Sequence, residues 1–458
     1  MTKPTTAAAA SRFSHSQSDL RQVVHDVVAY AKARGASASE AEISEGFGQS
    51  ISVRRGAVET IEHNRDKGLG VTIYMGQRKG YASTSDLSVK AWQETVDAAM
   101  SIAKYTAPDD CAGLPDRALL ALDPADMPDL DLYHPWMIGI DSAIELATRC
   151  EQAAFDVSPL ITNSEGATVS IQEGQFAMAN SLGFIGGYPS SRHYLACSVI
   201  AGKGDGMQRD DWYSTARDPA EIGDAVAIGD YAARRALSRL KGRRIRTGDY
   251  PVIFEAPVAA TLLGNFTHAV SGGALYRKTS FLLDQLGKPV FAPHIQLREQ
   301  PHLRKGMGSS PFDNDGVRTQ GREVVRDGVL QGYFLSTYSA RKLGMKTTGN
   351  AGGAHNLSID STLNSPDLNG LLRQMGRGLL VTELLGQGVN YVTGDYSRGA
   401  AGYWVENGEV AYPVDEITIA GNLKQMLHGI VAIGSDVLAR GSKSSGSLLL
   451  DRMTVAGS

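Results

Sequence analysis

The sequence predicts an α+β protein: two helix–antiparallel-meander–helix units, then a mainly antiparallel β C-terminal domain with attached helices. Three observations predict it. Amphipathic helical spacing brackets strand-like runs twice, in 19–105 and in 141–240. Glycines at 56, 68 and 76, and again at 166, 174 and 183, punctuate those runs as turn markers. Asp327-Gly328 and Asn407-Gly408 each sit between apolar runs, where type I′ hairpin turns need two residues with positive φ.

Residues 1–18 hold an Ala run and no Leu/Ile/Val-rich core, so a disordered tail is expected and not a signal peptide. Leu20, Val23, Val24, Val27, Val28 and Ala31 then form one helical stripe, closed by Gly35. Strands are expected at 40–46, 50–55, 57–62, 68–75 and 78–83. A second helix starts near Ser88, with Val89, Trp92, Val96, Ala99 and Ala103 inward. These make an N-terminal α+β domain over 19–106. Residues 107–140 alternate prolines with aspartates and read as a surface connector, because Pro removes donors and Asp favours turns.

The central α+β domain spans 141–246. Its helix carries Ile144, Ala147 and Ala154 inward, strands follow at 160–163, 167–173, 176–181, 184–187 and 193–201, and a helix runs from Pro219 to Leu240. The two units share a pattern but no residue-level identity, so a structural duplication is expected from pattern alone. The Gly202–Gly206 loop fits no phosphate-loop spacing, Asp210-Asp211 reads as a solvated pair, and Trp212 and Tyr213 as packing.

The C-terminal domain spans 247–458. Strand 251–255 leads into a helix from Pro257, with Val258, Leu262, Phe266 and Ala269 on its inner stripe. The Asp327-Gly328 hairpin sets Val325 opposite Leu330. A helix with Leu368, Leu371, Leu372 and Met375 inward precedes a strand at 379–384. The Asn407-Gly408 turn sets Val405 opposite Val410 and Tyr403 opposite Tyr412 on a buried face, with Glu406 and Glu409 on the wet one. Asn422 is expected to cap a helix carrying Leu423, Met426, Leu427, Ile430 and Val431.

Composition narrows the function classes. At 458 residues, with 42% hydrophobic and 21% charged, the chain has the balance of soluble globular proteins. A net charge of −4 predicts no nucleic-acid surface. No stretch reaches the ~20 apolar residues of a bilayer span. Three cysteines (111, 150, 197) are no disulfide framework, so a cytoplasmic setting is expected.

The runs VTGDYSRGAAGYWVENG, YRKTSFLLD, PFDNDGVRT and YSARKLGMK, with ISVRRGAVE near the start, resemble the PmbA (TldE) branch of the TldD/PmbA family over residues 20 to the end. The resemblance implies a metallopeptidase complex in which a TldD-type subunit carries the metal, expected to be zinc. An older label for the family is modulator of DNA gyrase. In the metal-bearing branch a His-Glu-x-x-x-His motif lies on the helix after the first strand of this domain, and a distant cysteine completes the site. Here the aligned positions are Gly264, Asn265 and Ala269, and no cysteine follows Cys197. Gly and Ala offer no ligand atom, and an amide cannot take water's proton. The closest pair among the ten histidines, His294 and His302, fits no short zinc motif. No metal site and no catalytic residue of its own are therefore expected in this chain.

His268 points off the inner stripe. Gly394–Gly399 has G-x-x-S-x-G spacing, unlike a nucleophile elbow. The small-residue run at 393–402 can be approached closely, so Arg398, Gly399, Ala400, Tyr403 and His268 are candidate peptide-groove residues, holding an extended or unfolded peptide as an added strand. The expected function is a PmbA-type subunit paired with a TldD-type partner, with a homodimer possible in isolation. The alternatives are a stand-alone metallopeptidase with ligands from distant segments, and a non-enzymatic modulator of a toxin–antitoxin or gyrase system.

Overall fold

The computed structural model describes residues 12–457. The first unit comprises helix α1 (Gln17–Ala33), strands β1 (Ala38–Arg54), β2 (Ala57–Met75) and β3 (Arg78–Thr84), and helix α2 (Val89–Tyr105). The second comprises α3 (Ile140–Val157), β4 (Ile161–Asn180), β5 (Ile185–Gly186), β6 (Pro189–Ala201), β7 (Gln208–Ala216) and α4 (Ala225–Ser238). The two units share a single seven-stranded antiparallel sheet, ordered β3-β2-β1-β4-β6-β7 with β5 beside β4. Its centre is the β1–β4 pair, which runs from Glu40 opposite Asn180 to Val53 opposite Ala167 and is balanced about Gly46 opposite Gly174. The repeated pattern in the sequence thus becomes two halves related across one antiparallel ladder.

All four helices cover the same face. Ala41, Ile43, Ile51 and Val53 of β1 alternate toward it; the first two join the core under α1 and α2, the last two the core under α3 and α4. Of the expected turns, Gly56 and Gly76 have positive φ and close hairpins. Gly68 lies inside β2 opposite Ser44, and Gly174 lies inside β4, so the expected pairs of short strands are single long ones. A glycine facing a partner strand interrupts nothing when the ladder on either side is in register. Val89 is 60% exposed, since it occupies the first turn of α2, ahead of the buried Trp92, Val96, Ala99 and Ala103.

Residues 1–11 of the expected tail lie outside the described residues. Residues 12–18 are not a disordered tail. Ser16 caps α1 in a reciprocal box with Asp19, and Gln17 begins the helix. Arg12 stacks on Phe47 and donates to the Trp136 carbonyl at 2.9 Å. The connector is also more than a surface linker. Leu120 and Ala121 are buried, the Ala121 N–H donates to Gly316 O, and Arg341 binds the Gly113 carbonyl.

The C-terminal part contains β8 (Gly248–Phe254), α5 (Ala256–Ala269), α6 (Gly272–Tyr276), β9 (Ile295–Glu299), β10 (Arg322–Arg326), β11 (Val329–Leu330), α7 (Thr337–Lys342), β12 (Leu357–Ser361), α8 (Leu368–Met375), β13 (Gly378–Leu385), β14 (Asp395–Glu406), β15 (Glu409–Asn422), α9 (Leu423–His428), β16 (Ile430–Ile433), β17 (Leu438–Arg440), β18 (Lys443–Ser445) and β19 (Leu448–Ala456). One sheet runs β11-β10-β9-β12-β18-β17. The other runs β15-β14-β13-β8-β19-β16, and β15 also pairs with β19, so five of its strands close on themselves. The largest core lies between these sheets and α5.

Both hairpin turns form as expected: Asp327-Gly328 and Asn407-Gly408 have positive φ, with Val325 opposite Leu330 and Val405 opposite Val410. Tyr403 is not opposite Tyr412, however. A bulge after Trp404 pairs Trp404 with Tyr412 and Tyr403 with Pro413. Pro413 has no N–H, and a proline is tolerated in a sheet at a bulge or an edge. Only Val405 of the expected face is fully buried; Val410 is 47% exposed. The helix after Asn422 stops at His428, and Ile430 and Val431 belong to β16.

Asp210 is not solvated. It is 8% exposed and receives Arg235 at 3.0 Å and Arg239 at 3.4 Å. Arg235 also reaches Glu255 at 3.0 Å, and Arg239 binds Glu383. Burial alone would lower the Arg235 guanidinium; Glu255 and Asp210 outweigh it and hold it above its ordinary value. Trp212 and Tyr213 are packing residues, as expected, with Arg440 over both rings.

Replacing Arg235 with Met strands the buried Glu255 carboxylate and leaves Asp210 with Arg239 alone, and is expected to lower stability by about 3 kcal/mol. The exposed Arg244–Glu416 pair gives the control, with Arg244→Met costing under about 0.5 kcal/mol. Denaturation midpoints compare them. A Cβ at Gly229 would sit 2.0 Å from the Cys150 carbonyl oxygen. Gly229→Ala must therefore push α4 off α3, with an expected loss of about 1–3 kcal/mol by the same measurement.

Candidate functional site

The site is built on α5. Glu255 precedes the helix in an extended conformation, Pro257 enters its first turn, and Val258, Leu262, Phe266 and Ala269 anchor it in the core, as the stripe predicted. This orientation fixes the faces of the degenerate motif. Gly264 borders an open cleft of ≈ 500 Å³. Asn265 is turned inward and 9% exposed, and Ala269 is sealed in the core. His268, one turn after Gly264, is exposed at the same cleft.

The loop between β13 and β14 brings a phenol to this helix. The Phe281 N–H donates to the Tyr391 carbonyl at 2.7 Å, and Asn390 caps the turn that follows. The Tyr391 hydroxyl donates to Asn265 Oδ1 at 2.9 Å, and its ring lies on His268 with centroids 4.0 Å apart. Asn265 Nδ2 is left buried without a partner. From β14, Tyr396, Arg398 and Ala400 alternate toward the same core face. Burial pushes the Tyr396 phenol up to about 12, against the pull of the neighbouring Arg398. Burial also raises Tyr391, and Arg398 again opposes it. The Tyr396 hydroxyl and Arg398 Nε are both buried, and Arg398 is the polar side chain that lies against that hydroxyl.

The structure therefore gathers Asn265, His268 and Tyr391 into one place, with the charge of Arg398 near enough to be felt by Tyr391. It separates them from Tyr403, which packs on the other side of the sheet against the α8 core and bonds Ser238 Oγ at 2.5 Å. Gly399 and Ala400 lie in an interior strand: Gly399 pairs with Leu385 and Thr418, and Ala400 with Leu384 and Ile417. Both edges of β14 are thus occupied, and no peptide can add as a strand there. The chain that closely approaches the small residues is β13 of the same domain; a Cβ at Gly402 would meet Leu380 O at 1.9 Å. Sequence reasoning missed Tyr391 and Tyr396. Tyr396 was within reach, since it sits two residues before Arg398 on one strand face; Tyr391 enters only through a loop.

These residues do not fit a hydrolytic metal ion. Gly264 has no donor atom, Asn265 offers an amide already bonded to Tyr391, and Ala269 is sealed in the core. One imidazole, that of His268, remains on this face. Among the described residues no group of three or more His, Cys, Asp or Glu side chains is placed to hold a metal, and all three cysteines are free. No described helix is long and apolar enough to cross a membrane.

Three family models cover most of the chain: the PmbA/TldA metallopeptidase domain 1 over residues 39–103, the central domain over 133–240 and the C-terminal domain over 247–457. A Haemophilus influenzae protein named metalloprotease PmbA homolog is 48% identical, over 96% of this chain and 97% of its own length. A TldD homolog of the same organism is 23% identical over 80% of this chain and 79% of its own. A crystal structure from Bacteroides thetaiotaomicron superimposes with a TM-score of 0.89 at 27% identity, covering 96% of this chain and 99% of the other. With the domain order, the closed C-terminal sheet and the altered helix motif in hand, the conclusion is that this chain belongs to the PmbA branch of the PmbA/TldD family.

Proposed function

We propose that this chain is the non-catalytic subunit of a two-chain metallopeptidase that acts on extended or unfolded peptides. The observation that carries this reading is the face of α5. Gly264 stands at the cleft without a donor atom, and Asn265, bonded to Tyr391, is turned inward, where the family's metal-binding motif is expected. Neither residue offers the carboxylate or imidazole that a hydrolytic divalent cation needs. The TldD-type partner would supply the zinc and the activation of water. This chain would supply a cleft wall and a docking face. Two relatives named for the two branches occur together in Haemophilus influenzae, which supports a pairing of the branches.

The test mixes the purified chain with a TldD-type protein and an unstructured peptide. The expected result is cleavage by the mixture that the chain alone does not produce, with less than about 0.1 zinc per chain by elemental analysis. Stoichiometric zinc together with unaided cleavage would overturn the reading. No stimulation of the partner at any ratio would instead favour a binding or scaffolding protein.

A further inference from the structure

One long strand of the first sheet is left bare. β2 pairs with β1 from Tyr74 opposite Ala38 to Ala57 opposite Arg54, with a single bulge near the tip. On its other side β3 covers only Leu69 to Met75. Residues 57–67 are exposed at every position, on both faces of the sheet. They form a regular strand whose outer edge has no partner strand among the described residues. The far edge of the same sheet is met by arginines: along β7, Arg239 donates to Arg209 O at 3.0 Å and Arg440 to Tyr213 O at 3.3 Å.

The ladder fixes which main-chain groups face outward. Tyr74 O accepts from the Ser37 N–H, on the β1 side. Alternation along an antiparallel strand then turns the even-numbered residues, back to Thr60, toward β1 and the odd-numbered ones away from it. Ile73 and Val71 meet β3, but Ile61, His63, Arg65 and Lys67 meet no strand.

Only charge blunts this edge. It has no proline, and its bulge lies at the tip. On the open face of the sheet, side chains lean away from it. Asn64 and Asp66 lie back over Gly48 and Gly46 of β1, where a Cβ would meet each of them at 2.0 Å. On the helix-covered face Val58 and Ile61 stand 45% and 43% exposed. The charges are sorted along the strand: Glu59 and Glu62 in its first half, Arg65 and Lys67 in its second. An antiparallel copy lays each half against the opposite one, acid to base, with Ile61 close to the axis.

We propose that the bare edge of β2 pairs antiparallel with the same edge of a second copy of this chain, joining two sheets across a two-fold axis. The outward N–H and C=O groups of residues 61–67 form the shared ladder. Glu59 and Glu62 face Arg65 and Lys67 of the second copy, and the order of the charges selects a like strand. This goes beyond the two-chain reading, since it needs no partner of another branch.

The experiment uses the full chain alone, in sedimentation velocity from ~1 to ~100 µM. The wild type is expected to be dimeric at the upper end. Two charge-reversed variants are compared with it. One carries Glu59→Lys and Glu62→Lys, the other Arg65→Glu and Lys67→Glu. Each alone opposes like charges and is expected to dimerise at least about tenfold more weakly. Mixed in equal amounts, they are expected to associate within about threefold of the wild type, because a basic strand then meets an acidic one. A role confined to the folding of one chain cannot produce that rescue. Hydrogen exchange reads the ladder itself: the amides of Ile61, His63 and Arg65 are expected to exchange more slowly in the wild-type dimer than in either variant alone. A wild type that stays monomeric throughout overturns the proposal. So does a dimer that both variants keep, a loss that mixing does not restore, or equal exchange at those amides. None of these outcomes touches the two-chain reading, because no TldD-type protein enters the test.

Discussion

The buried junction of Arg235 with Asp210 and Glu255 holds the rest in place. Arg235 leaves α4 of the sheet-forming half, and Glu255 is the residue from which α5 starts. Asp210 joins them from β7, and Arg239 extends the junction to Glu383 on β13. Two opposed charges at 3 Å, shielded from water, tolerate little displacement. The angle at which α5 enters the C-terminal core is therefore tied to the sheet that the first two units share. Every residue of the candidate site on that helix inherits its direction from this contact.

The site inverts the chemistry expected of a metallopeptidase. A hydrolytic cation requires carboxylate, imidazole or thiolate donors converging on one point. On α5 the motif positions hold instead a glycine, a buried amide bonded to the Tyr391 phenol, and an alanine sealed in the core. The helix turns one face toward a cleft, and Leu262, Phe266 and Ala269 fix the other in the core. Scaffold and chemistry have come apart.

The sheet of the first two units shows how duplication can be legible as rhythm and invisible as identity. What the halves share is alternation and the places where helices begin: Ser88 caps α2 and Asp224 caps α4. Fusing the halves through β1 and β4 gives the four helices one continuous sheet to cover, so neither half has to close its own edge at the centre. The residue before α1 and the connector then tie the termini of the units to neighbouring surfaces, which is why stretches poor in apolar residues are nevertheless ordered.

Local signals were enough for much of this. Periodicity placed α1, α2, α3, α5 and α8, because burying one stripe on a helix needs nothing from the rest of the chain to be recognised. The positive-φ demand of Asp327-Gly328 and Asn407-Gly408 placed two hairpins. The loss of the metal motif was visible residue by residue at Gly264 and Asn265. Short strands without a turn dipeptide, such as β7, β9 and β12, were not visible, because their pairing partners are distant in sequence. The bulge at Trp404, the burial of Asp210 and the arrival of Tyr391 at Asn265 were decided only when separate segments met in space. The sequence determined which residue types stand at the helix positions 264, 265 and 269; only the folded arrangement decided what they meet, since the Tyr391 phenol reaches Asn265 from a loop through packing and through no spacing along the chain.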